Sequence, residues 1–215
     1  SARLGQGAVK LADVADDLTG IAIADGTRSL LRGQGGNDTL RGTGTDTSIT
    51  ASYTADPSRV LVNLSDADET LAGTLVAAHT ARDGFGATDT IISIQSARGS
   101  AFDDIIVGST IADRLEGEAG NDEIHGRGGN DTLRGNAGND ILFGEDGDDS
   151  LRGGAGVDQY SGGAGYDNLR FDGDTPNQGA VASLTTGLIT DTFGNAESIG
   201  ASNDIEMLIG SSLAD

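Results

Sequence analysis

Of 215 residues only 36% are hydrophobic and 4% aromatic, too little for a conventional globular core, while 35 are glycine. The formal net charge of −21 argues against nucleic acid as a partner and opposes collapse in the absence of cations. The lack of cysteine excludes disulfides and thiolate metal sites, and no apolar run approaches the roughly 20 residues of a spanning helix.

Apolar clusters at 9–11, 21–23 and 30–31 predict short strands leading into residues 33–41. Those nine, GQGGNDTLR, are the first instance of a phrase that recurs: glycine first and fourth, aspartate sixth (Asp38), a large apolar residue eighth (Leu40). Residues 42–50 follow out of register, with Asp46 one place early. Residues 43–98 lack the nonapeptide. Within them 47–54, 60–64 and 90–94 predict strands, with Pro57 in the turn between the first two. Asp66, Asp68 and Glu69 lack the glycine and distal glutamate of an EF-hand and are expected to be solvated. The 42–98 insert fits either irregular coils or a small sheet beside them, and periodicity leaves both open. Two weaker phrases rejoin the pattern at 99–107 (GSAFDDIIV) and 108–116 (GSTIADRLE). They keep Asp104 and Asp113 with inward Ile106 and Leu115, but Phe102 and Ile111 replace the second glycine.

Residues 117–170 then repeat the phrase six times without a gap: GEAGNDEIH, GRGGNDTLR, GNAGNDILF, GEDGDDSLR, GGAGVDQYS and GGAGYDNLR. The aspartates are Asp122, Asp131, Asp140, Asp149, Asp158 and Asp167, and the eighth-place residues are Ile124, Leu133, Leu142, Leu151, Tyr160 and Leu169. Three residues per phrase suit a short strand with its centre inward, and the Gly-rich six before them suit a sharp turn. Strand and turn in alternation predict a flattened solenoid with two phrases per coil. Loops on one edge then stack at about the 4.8 Å strand spacing. Stacking repeats the carboxylates as columns with no basic residue at a fixed loop position to neutralise them. Oxygen ligands at regular spacing suit calcium better than a transition metal.

The array resembles the G-G-x-G-x-D-x-U-x repeat of RTX proteins, a calcium-binding β-roll. That resemblance implies an all-β, right-handed parallel β-roll with structured β interruptions or caps. It also implies calcium between stacked loops, held by aspartate carboxylates and backbone carbonyls, among them those of Gly120, Gly129, Gly138, Gly147, Gly156 and Gly165. Pairing phrases that begin at 117 with 135, 135 with 153, 126 with 144, and 144 with 162 gives about four full sites. Asp38, Asp104 and Asp113 are further candidate ligands, the last two in degenerate loops. RTX proteins are exported by type I machinery through a C-terminal signal, so the resemblance implies a bacterial protein that is secreted or on the cell surface.

After residue 170 the phrase ends, and residues 94–104 align with 205–215. The expected organisation is therefore 1–41, N-terminal strands with one repeat; 42–98, the insert; 99–170, eight nonapeptides; and 171–215, a second unit begun and cut short, within a longer parent protein. On the outer faces, Ile105, Val107, Ile141 and Phe143 predict a covered surface, supplied by the 43–98 module in preference to another protein. Arg134, Arg152 and Arg170 stack on the other sheet, either as a stripe for an acidic polysaccharide or cell-surface partner, or as a face balanced by neighbouring acids. His79 and His125 occur in unrelated contexts, and neither an HExxH motif nor a GxSxG elbow exists, so no catalytic constellation is expected. The leading expectation is a non-catalytic module that folds on calcium. A carbohydrate-binding or adhesive module, or the accessory repeats of an enzyme with its catalytic domain elsewhere, are the alternatives.

Overall fold

A computed structural model describes residues 9–10, 17–19, 29–33, 35–42, 49–171, 181–183, 188–190, 196–199 and 205–209. Among these, all regular structure is β. Two mainly parallel sheets, of nine and twelve strands, form a β-solenoid of about seven turns. In the nine-stranded sheet, Ser96–Arg98, Arg114–Ala119, Thr132–Ala137, Ser150–Ala155 and Asn168–Arg170 stack in sequence order. In the other, Ile105–Val107, Glu123–His125, Ile141–Asp146 and Gln159–Ala164 do the same.

The pairing places phrase on phrase with two per coil. Leu115, Leu133, Leu151 and Leu169 fall in one register, and Ile106, Ile124, Leu142 and Tyr160 in the other. All eight are buried, so the inward column is the core, each residue contributing on the order of 1.5–3 kcal/mol by leaving water. Several strands are twice the expected length. Thr132–Ala137, for example, continues from the end of one phrase through the first three residues of the next, and its first four residues alternate half-buried and buried.

The insert is mostly solenoid. Ile49–Ser52 pairs in parallel with Ser96–Arg98, Leu61–Asn63 with Ile105–Val107, and Thr88–Ile92 with Thr39–Arg41. Thr80–Arg82 lies antiparallel between Leu61–Asn63 and Thr88–Ile92, its Ala81 small enough for the fully buried centre. Among the described residues of the insert, only the hairpin of Glu69–Leu71 and Thr74–Val76 stands apart as its own sheet. Its Leu71 and Val76 pack with Leu61, Val107 and Ile105, so residues of the 43–98 region cover that end of the outward apolar face. Further along, Phe143 stacks on His125 at 4.7 Å between ring centroids. His125 is half-buried and hydrogen-bonded to Glu123 and Glu145 at 3.0 Å each.

Beyond the array, Met207–Ile209 pairs with Asn168–Arg170 in the nine-stranded sheet, where Ser96–Arg98 precedes the array. The aligned stretches around 94 and 205 thus occupy equivalent rungs. The apolar cluster at 21–23, Asp46 and the last phrase at 210–215 lie outside the described residues.

Candidate metal centre

Three places in the phrase shape each loop. The fourth-place glycines have left-handed backbones, with φ from 101° at Gly129 to 143° at Gly165. Stacking leaves no room there: a Cβ on Gly138 would stand 1.8 Å from the carbonyl oxygen of Gly120 in the loop eighteen residues earlier. The first-place glycine clears space for the aspartate of its own phrase, since a Cβ on Gly135 would meet Asp140 Oδ2 at 2.1 Å. The second place is left-handed too, at Glu118, Arg127, Asn136, Glu145, Gly154 and Gly163. Sequence reading missed this requirement because four of the six phrases carry a non-glycine there; Gly154 and Gly163 were the available signal.

The six aspartates are all buried and form two ladders. Asp140 Oδ1 accepts the backbone N–H of Asp122 at 2.8 Å, and Asp158 Oδ1 that of Asp140 at 2.8 Å. On the other edge Asp131, Asp149 and Asp167 accept from Asp113, Asp131 and Asp149 at 2.7–2.8 Å. The fifth place builds an opposite ladder that the sequence reading did not assign. There Asn121 Oδ1 accepts the Asn139 N–H at 2.9 Å, and Asn139 Oδ1 the Val157 N–H at 2.8 Å. Each loop is thereby locked to both neighbours.

The second carboxylate oxygen is the unusual one. Oδ2 of Asp122, Asp131, Asp140 and Asp149 is buried and has no hydrogen-bond partner. Burial pushes these carboxyls up, Asp131 and Asp140 to about 8, Asp122 to about 7 and Asp149 to about 6. The ladder N–H pulls the other way, while stacked carboxylates raise one another, as Asp158 and Asp122 do for Asp140. Such oxygens are costly to bury unless a positive charge meets them. Among the described residues no three acidic or histidine side chains converge, so a cation here would draw most of its shell from backbone oxygens. Few carboxylates, many carbonyls and a glycine-turned backbone fit calcium. Asp158 differs: its Oδ2 faces the Tyr160 hydroxyl at 3.4 Å.

The degenerate loops have another solution. Ser100 N–H and its hydroxyl both bond the Asp104 carboxylate, whose Oδ1 also takes the Val60 N–H at 2.8 Å. In the next phrase Ser109 N–H donates to Asp113 Oδ2 at 2.5 Å. A serine in second place thus offsets part of the burial cost from within, although burial still raises both carboxyls to about 6, and Phe102 and Ile111 lie exposed.

One phrase was overlooked altogether. Residues 84–92, GFGATDTII, have glycine first, aspartate sixth (Asp89) and isoleucine eighth (Ile91), with the second glycine one place early. Ile91 pairs with Leu40, and Asp38 N–H donates to Asp89 Oδ1 at 3.0 Å, the same ladder as in the array. At the far end Glu206 stands in an aspartate's register, its Oε2 accepting the Asp167 N–H at 2.7 Å.

Along the arginine stripe, Arg134 and Arg152 are in register. A groove of about 270 Å³ is lined by Arg114, Arg134, Arg152 and Arg170. The next rung carries Glu116, which pairs with Arg98 at 2.9 Å, with Arg114, and with Arg134 at 3.8 Å. Burial raises the Glu116 carboxyl, but Arg114 and Arg98 outweigh it and hold the group below its ordinary value.

Residues 25–47, 98–133 and 134–169 match the family of the RTX calcium-binding nonapeptide repeat, in four copies. No curated protein matches the chain.

Proposed function

From a chain built on RTX calcium-binding nonapeptide repeats, we infer a non-catalytic β-roll segment that folds when calcium reaches it outside the cell. The observation that carries this reading is the set of buried Asp122, Asp131, Asp140 and Asp149 oxygens without a partner. These four aspartates, with Asp158 and Asp167 and the carbonyls of the fourth-place glycines, would hold calcium in about four full sites. The bound ion supplies positive charge to the acid columns, offsetting part of the −21. The residues do the remainder. The first glycine leaves the carboxylate free to fold back over its own loop, and the ladder bonds fix its direction. The inward column joins neighbouring coils, which makes folding cooperative.

Extracellular calcium modules bind with Kd on the order of 10⁻⁴–10⁻³ M, so the chain would stay unfolded and exportable in a calcium-poor cytosol. A type I apparatus acting on a longer parent and a secreted or cell-surface destination agree with that behaviour. Far-UV circular dichroism of the metal-stripped chain during a calcium titration, with magnesium as control, tests it. A cooperative coil-to-β transition with calcium alone is expected; a chain already folded in chelator and unmoved by calcium would overturn the reading.

A further inference from the structure

The insert contributes an acidic centre outside the six-phrase array, where the phrase at 84–92 stacks on the one at 33–41. Asp89, fully buried, accepts the Asp38 N–H through Oδ1 and leaves Oδ2 with no hydrogen-bond partner. That oxygen is aimed at the same place as Asp38 Oδ2: the two lie 2.8 and 2.5 Å from the point a Cβ on Gly33 would occupy. The buried Tyr53 hydroxyl adjoins the Asp89 carboxylate, and the Asp56 and Asp83 carboxylates act on the same hydroxyl. Two buried carboxylate oxygens converging on a space opened by a glycine form a cradle for a hard cation.

We propose that Asp38 and Asp89 hold a calcium ion of their own, in a site built half from the first nonapeptide and half from the insert. The proposal rests on the calcium reading of the array, and two carboxylates with backbone oxygens and water are its donors. Because the two aspartates are 51 residues apart, the ion would fasten the returning end of the insert onto the first phrase. The insert would then respond to the same ion as the array.

The test is the number of calcium ions bound per chain at equilibrium dialysis, for the wild type, Asp89→Asn and Asp140→Asn. Asparagine keeps the oxygen that accepts the Asp38 N–H, so Asp89→Asn is expected to keep the array and bind one ion fewer. The chain has three tyrosines and no tryptophan, so terbium emission excited through tyrosine gives a second readout. Tyr53→Phe is expected to remove part of that emission at an unchanged ion count, while Tyr160 beside Asp158 continues to report on the array. An unchanged count in Asp89→Asn, with ions lost in Asp140→Asn, overturns this site and leaves the array reading standing. A wild type that binds no calcium overturns the array reading itself, and this site with it. If Asp89→Asn fails to fold, Tyr53→Phe decides, and undiminished terbium emission in it overturns the site.

Discussion

At the scale of single residues, the loops are governed by what may not stand next to a carboxylate. Gly135 is achiral and small for a reason other than flexibility: Asp140 Oδ2 fills the space a side chain would need. Gly135→Ala is therefore expected to push that carboxylate out of its place, costing about 1–3 kcal/mol in the calcium-loaded protein. Denaturant unfolding in saturating calcium measures the loss, and stability equal to wild type would refute the steric account. Ser100 and Ser109 illustrate the complementary device. Their backbone N–H groups give Oδ2 of Asp104 and Asp113 an internal partner, which Oδ2 of Asp122 and Asp131 in the neighbouring regular phrases lacks, while Asp113 Oδ1 is left without a hydrogen bond.

Among elements, the hairpin of Glu69–Leu71 and Thr74–Val76 serves as a cover. Leu71 and Val76 close over Leu61 and Val107, and Arg127 of the array reaches Glu69 at 2.7 Å. Apolar contact carries most of this docking, because the ion pair is partly exposed and such pairs contribute roughly 0–1 kcal/mol. Leu71→Ala should cost about 2–3 kcal/mol and Arg127→Ala well under half of that. Comparing the two by chemical unfolding in calcium checks the ranking; a larger loss for Arg127→Ala would mean the charge holds the hairpin. Arg127 also has a left-handed backbone, so its replacement by glycine would combine two effects and is the poorer probe.

For the whole molecule, charge decides when the solenoid is stable. Burial and stacking raise Asp131 and Asp140 to about 8 and Asp122 to about 7 in the metal-free fold, well above an unfolded aspartate near 3.8. A carboxyl raised on folding binds its proton more tightly in the folded state, so folding is favoured below these values and disfavoured above them. Metal-free protein is therefore expected to gain β structure as pH falls from about 8 toward 5. Calcium competes with the same protons, so its apparent affinity should weaken over that interval. Circular dichroism against pH, in chelator and in calcium, separates the two trends. A metal-free chain that loses structure on acidification from pH 8 would contradict the desolvation of these carboxyls.

The sequence alone determined the solenoid, its two phrases per coil and the residues of its core, because a nine-residue period leaves one way to put Leu133, Leu142 and Leu151 inside while stacking identical loops. It also marked the aspartates and the first and fourth glycines, whose types repeat without exception from 117 to 170. Tertiary structure alone decided the course of the insert, since its strands join the coils through partners distant in sequence: Val62 with Ile106, and Ile91 with Leu40. It alone assigned the second and fifth places, where a backbone angle or a bond to the loop above acts through residues of varied type. Asp89 was legible only in part. Its spacing sits in the sequence, but one displaced glycine hid the phrase until pairing brought it beside Asp38.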